Sequence, residues 1–112
     1  MGVNKELMKG STSLLILSLL ESEDMYGYMI VQKLKQKSED VFDLKEGTLY
    51  PMLHSLENSG AVSSYWLESE DGRKRKYYKL EKKGARLLEE KKQEWQLYTG
   101  SVNKVIGGMC CE

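Results

Sequence analysis

The 112-residue sequence is poor in residues that punctuate or staple a chain: one Pro, one His, one Phe and two Cys. A single Pro and the lack of any low-complexity tract argue against disorder. Cys110 and Cys111 are adjacent, with no CxxC partner and no nearby His. Neighbouring side chains do not readily close a disulfide, and a metal site would need two more ligands. No metal or cofactor is expected, and the pair is read as part of an exposed chain end. With one His, no Ser, His and acid set in recognisable context and no phosphate-binding Gly loop, nothing points to an enzyme. The longest apolar run, LLILSLL at residues 14–20, is far below the ~20 residues of a membrane span. The start, MGVNKELMKG, is followed by no cleavage site of small residues. The expectation is a cytoplasmic protein with no membrane partner.

Net charge is also absent: 17 basic residues balance 17 acidic ones. This argues against a protein that coats nucleic acid indiscriminately. The charge is nevertheless placed. Residues 1–44 hold five Lys and seven acids, whereas residues 73–86 hold eight basic residues against Glu81 alone. A chain of this length makes one small domain with limited burial, a shortage that an oligomer relieves.

Residues 5–21 are helical in pattern but apolar almost all round, so this helix needs cover on more than one side, with a second subunit as the expected source. A buried strand at residues 14–20 is the alternative, because short apolar runs are ambiguous. Asp24 can cap a second helix over residues 25–37. Gly27 inside that helix costs ~1 kcal/mol relative to Ala, which suggests a close contact that requires it. Residues 38–44 read as a loop with a brief extended piece at 41–44.

The next stretch, residues 45–60 (KEGTLYPMLHSLENSG), is a short helix with two unlike faces. Leu49, Met52, Leu53 and Leu56 fall in one arc at 100° per residue, and Gly47, Thr48, Pro51, His54, Ser55 and Asn58 fill the other. Pro51 is harmless in the first turn if Thr48 is the N-cap, and must kink the helix if the start is nearer Lys45. AVSSYWL (61–67) and RKYYKL (75–80) are strand-like, joined by ESEDG with the Asp-Gly pair that favours hairpins. Alternation sets Lys76, Tyr78 and Leu80 on one face and Arg75, Tyr77 and Lys79 on the other. From Glu81 to Ile106 the pattern is helical again. Leu88, Trp95 and Val102, with Lys91, Tyr98 and Val105, follow heptad spacing.

The expected fold is mainly α with a small β-hairpin: a winged helix-turn-helix of order α-α-α-β-β-α with a long C-terminal dimerisation helix. Residues 1–80 would form the DNA-binding unit. Residues 81–112 would form the dimerisation helix, packed with the N-terminal helix. In this arrangement the helix after residue 45 enters the major groove of double-stranded DNA and the hairpin lies along the backbone or minor groove. Lys45, Thr48, Tyr50, Pro51, His54 and Ser55 can face DNA, Tyr50 through its hydroxyl to a phosphate. Arg73, Lys74, Arg75 and Lys76, followed by Tyr77, supply a cationic wing. The competing class is a winged helix used for protein–protein contact without DNA.

GTLYPMLHSLENSG, then VSSYW, then GRKRKYYKLEKKG and a helix together resemble the PadR family of bacterial transcriptional regulators. Lys45 and Glu81 depart from the family pattern, which favours Ser or Asn and Thr at those places. The resemblance implies a homodimer built from the first and last helices, bound to a palindromic operator and usually repressing. In some short-chain relatives an aromatic effector binds in the dimer interface. Trp95 stands where those relatives carry a cavity Trp, and it serves equally well as a plain interface residue; the apolar residues on both interface helices make Met8, Leu15 and Tyr98 its expected companions in such a cavity.

Overall fold

The computed structural model describes residues 10–107. Within them run α1 (Thr12–Ser22), β1 (Met25–Tyr26), α2 (Gly27–Lys37), α3 (Glu46–Asn58), β2 (Val62–Glu68), β3 (Lys74–Leu80) and α4 (Lys82–Ile106). Three helices, a hairpin and a long helix thus follow one another as the pattern predicts. One element is added: β1 pairs antiparallel with β3, so the hairpin becomes a three-stranded sheet of order β1-β3-β2.

The Leu-rich run folds as helix α1, not as the alternative strand. Ile16, Leu17, Leu19 and Leu20 are buried, and Leu14 and Leu15 are half-buried against the same core. The chain therefore covers most of this helix itself, leaving less for a second subunit than its pattern implied. The expected start near Lys5 lies outside the described residues; Gly10 and Ser11 form a turn before Thr12.

Met25, which the sequence pattern sets at the start of the second helix, is a buried strand residue opposite Tyr78, with Tyr26 opposite Tyr77. The N-cap of α2 is Tyr26, without a side-chain cap bond, so Asp24 does not cap it. Asp24 instead accepts a hydrogen bond from the Tyr65 hydroxyl at 2.6 Å. Core burial of Met25 and pairing with β3 outweigh a cap worth ~1 kcal/mol. Residues 38–44 contain no strand: Glu39 and Asp40 take left-handed φ of 54° and 70°, and Ser38 Oγ accepts from the Phe42 N–H at 2.9 Å.

Helix α3 begins at Glu46 with Lys45 as N-cap, so Thr48 lies inside the first turn and is not the cap. Pro51 is then an interior residue with no N–H to give the Gly47 carbonyl four residues back. Both positions are exposed, where water can serve that carbonyl. The opposite face is held firmly: Leu49 and Leu53 are 0% exposed and Leu56 is buried. A Cβ on Gly27 would meet the Tyr50 ring, which is the close contact its place in a helix suggested. It lets α2 and α3 approach at the point where Tyr50 crosses.

The hairpin turn closes with the Ser69 N–H on the Arg73 carbonyl at 2.8 Å and Gly72 at φ 82°, a conformation natural to Gly. Beyond β3, the Glu81 N–H donates to the Ala61 carbonyl at 3.0 Å, and the Glu81 carboxylate accepts from Ser63 Oγ. A Cβ on Gly84 would collide with that same Ala61 carbonyl, so α4 starts in tight contact with the α3–β2 turn. Gly84 and Leu88 are its buried residues. Lys92 pairs with Glu21 of α1 at 3.6 Å, and from there α4 projects. Its 25 residues span roughly 37 Å. The radius of gyration, 15.6 Å, exceeds the about 13 Å of a compact chain near this length.

Candidate nucleic-acid interface

The two faces of α3 read from the sequence are the two faces of the structure. With the leucines inside, Lys45, Thr48, Tyr50, Pro51, His54 and Ser55 are all exposed. Lys45 is engaged locally with Asp43 at 3.1 Å. Its ammonium holds the Asp43 carboxyl below its ordinary range, by hydrogen bond first and by charge second. Tyr50 leans over Gly27, and its hydroxyl is pushed above its ordinary range by burial and then by the Glu46 carboxylate. It stays a proton donor at neutral pH.

The four basic residues of the wing do not form one uniform tip. Lys74 and Arg73 are exposed, Arg73 lying 4.0 Å from Asp71. Arg75 is turned into the sheet. Its guanidinium donates to Ser69 Oγ at 3.0 Å, stands 3.9 Å from Asp71 and lies 4.8 Å from the centroid of the Tyr26 ring. Lys76 reaches back to α3, 3.5 Å from Glu57 and 5.6 Å from the Tyr78 ring centroid. Glu57 also accepts from Ser64 Oγ. The Ser64 bond foremost, and then Lys76, hold its carboxyl below the ordinary range. This junction ties the end of α3 to both strands of the wing.

Tyr77 goes elsewhere. It sits in a row across the sheet, stacked on Tyr65 at 5.7 Å and edge-on to Tyr26 at 5.3 Å. It does not line the space beside α3. That space is an open cleft of about 660 Å³ between the start of α2, the start of α3 and the wing. Arg73, Lys74, Arg75 and Lys76 line it against one carboxylate, Glu46. Two aromatic side chains that the sequence pattern did not single out, Tyr28 and Trp66, also line it. Trp66 could have been found from register, since the Asp-Gly turn sets it opposite Lys76.

The residues assigned to an effector cavity are only partly described. Met8 lies outside the described residues, as do Cys110 and Cys111. Leu15 is half-buried on α1, while Trp95 and Tyr98 stand exposed on α4 with ring centroids 6.2 Å apart. Among the described residues no three His, Cys, Asp or Glu gather to hold a metal, and no helix is long and apolar enough to cross a membrane.

A core-anchored helix with a polar outer face, followed by a basic hairpin packed on its end, defines a winged helix-turn-helix protein. The particular family is equally plain: residues 16–90 match the transcriptional regulator PadR-like family, and the chain belongs to it. Solved relatives agree along almost the whole chain. A transcriptional regulator from Clostridium thermocellum superposes with a TM-score of 0.83 at 33% identity, over 89% of this chain and 97% of that one. A PadR-like transcription factor from Bacteroides fragilis gives 0.73 at 39%, over 89% and 94%. A PadR-like regulator from Bacillus cereus gives 0.80 at 31%, over 94% and 100%. The chain is thus a DNA-binding transcriptional regulator, of a family that is not one of enzymes.

Proposed function

We propose that this regulator acts as a homodimeric repressor on a palindromic operator, each copy placing one α3 in the major groove and one wing beside it. The observation that carries the dimer is α4. At 100° per residue, Trp95, Tyr98, Val102, Val105 and Ile106 continue the face that Gly84 and Leu88 bury. Yet Tyr98 is 64% exposed, Val105 86% and Ile106 68%. An apolar stripe of that length is expected to find a partner, and the same stripe on a second copy is the symmetric solution. One α3 reads a half-site, and the paired α4 helices, residues 81–112 being the dimerisation segment, fix the distance to its twin.

Within each half-site, Thr48, His54 and Ser55 are assigned to base edges, and Lys45, Tyr50, Arg73 and Lys74 to phosphates. Pro51 shapes the exposed surface. Arg75 and Lys76 support the wing from within, each leaning on a neighbouring ring, and Tyr77 braces the sheet. A planar aromatic compound held between the Trp95–Tyr98 pairs of two copies would change the spacing of the reading helices and release the operator. In a Trp66→Phe background, quenching of Trp95 by a planar compound supports this effector site. Unchanged emission across a panel of such compounds contradicts it.

Mobility shift of the DNA upstream of the chain's own gene, at two salt concentrations, tests DNA reading. Specific retardation that weakens steeply with salt is expected. His54→Ala and Ser55→Ala should change which operator variants are preferred. Equal binding to unrelated duplexes would contradict the assignment of α3.

A further inference from the structure

The cleft between α3 and the wing holds more than its cations account for. Trp66 is 65% exposed, on the strand face that carries Lys76 opposite it. Tyr28, at the start of α2, is half exposed and lines the same cleft, with Tyr50 along its α3 side. An exposed indole leaves apolar area in water, and here it faces a cleft lined by Arg73, Lys74, Arg75 and Lys76; Asp71 lies beside both arginines and Glu57 beside Lys76, so Lys74 is the lining cation that carries the positive excess. That combination of an apolar wall and an excess of positive charge suits a sugar–phosphate strand, which offers an apolar deoxyribose beside an anionic phosphate.

We propose that Trp66, with Tyr28, is a DNA-contact residue: the cleft seats one backbone strand as it passes from the major groove read by α3 to the wing tip. The indole face covers a deoxyribose, and its Nε1–H, a donor with no acceptor role, bonds a phosphate oxygen. Lys74 neutralises the neighbouring phosphate. Tyr28 closes the opposite side with its ring, its hydroxyl already accepting from Gln32 Nε2 at 2.9 Å. The inference rests on the DNA-binding reading and adds a contact that is neither charged nor base-specific. Its signature follows from that. Removing Trp66 should weaken every duplex alike without changing the salt slope, because no counterion is released on its account.

The chain has two Trp, and Trp95 lies on the stripe assigned to the dimer, so anisotropy is read on the parent chain as well as on a Trp95→Phe variant, which makes Trp66 the sole indole reporter. Both are titrated with a fluorescein-labelled duplex of mixed sequence at low salt, and the binding outcomes are those of the parent. Anisotropy reports binding, and Trp66 emission with its accessibility to acrylamide reports the cleft. Binding accompanied by a change in Trp66 emission and loss of acrylamide access is expected. Trp66→Ala should bind roughly tenfold more weakly, the scale of one hydrogen bond to a charged group, with the same salt slope as the parent. A rise in anisotropy with Trp66 emission and accessibility unchanged would overturn the inference and leave the DNA-binding reading standing. No rise in anisotropy even at low salt would overturn both.

Discussion

The two ends of α4 carry the same kind of apolar stripe and meet opposite fates. Near its start, Gly84 lies against the Ala61 backbone and Leu88 is 1% exposed. Two turns beyond Leu88, Trp95 is 46% exposed, and farther along Val105 and Ile106 are 86% and 68% exposed. The pattern does not change along the helix; what changes is whether this chain has anything left to put against it. The head that carries α3, made of α1, α2, α3 and the sheet, closes its core within one copy, with Ile16, Leu17, Met25, Leu49, Leu53 and Tyr78 buried together. The long helix is complete only at its root. Stability and assembly should therefore fail at different residues, and each prediction probes one side of that division.

The largest effect is expected at the root. Gly84→Ala drives a methyl into the Ala61 carbonyl, which no side-chain rotation relieves. It should lower unfolding free energy by about 3 kcal/mol, at the upper end of overpacking costs, seen as a reduced urea midpoint. An unchanged midpoint would mean the α4 root is looser than described.

Next comes the far end. Val102→Asp places a carboxylate on the stripe without touching the core. It should cost roughly 2 kcal/mol or more of dimer stability, as loss of a central interface residue does, while leaving the circular dichroism spectrum of the subunit unchanged. Loss of the folded spectrum with loss of the dimer would instead show that the reading head depends on its twin.

Smaller effects separate the wing cations. Lys74→Ala should reduce the slope of log affinity against log salt by about 0.9, the share of one phosphate contact. Arg75→Ala, which removes contacts to Ser69 and Tyr26, should mainly lower thermal stability. Equal salt slopes for the parent and Lys74→Ala would remove Lys74 from the phosphate contacts.

The smallest effect is at the α3–wing junction. Glu57 has a folded pKa lowered from 4.5, chiefly by the Ser64 hydrogen bond, so its contribution is fully present above that value. It fades as pH falls through the lowered folded value. Because Glu57 is largely solvent-screened, Glu57→Gln should cost little at neutral pH, and its melting curve should converge with the parent's in acid. Divergence growing toward low pH would reverse the assignment.

Much of this division was legible in residues 45–106. The spacing of Leu49, Leu53 and Leu56 marked the buried face of α3, Asp71-Gly72 marked the turn, and the heptad-like spacing from Leu88 marked α4. What stayed hidden depended on tertiary partners. A strand of two residues, Met25–Tyr26, has no period to detect, and it took the helix start that Asp24 would have capped. Lys45 became the N-cap because the chain enters α3 one turn earlier than Thr48 would allow, with Pro51 tolerated on the solvent side. Alternation told which face Arg75 and Lys76 occupy, but not that Tyr26 and Glu57 would be there to engage them. Trp66 is the converse case: strand alternation does not tell that its indole is left uncovered.

Pairing of two copies through the distal stripe of α4 is tested directly by sedimentation equilibrium of the parent chain and of Val102→Asp. Twice the 12.9 kDa chain mass is expected for the parent and the single-chain mass for the variant, both folded. A parent that sediments as a single chain at concentrations sufficient for operator binding would contradict it.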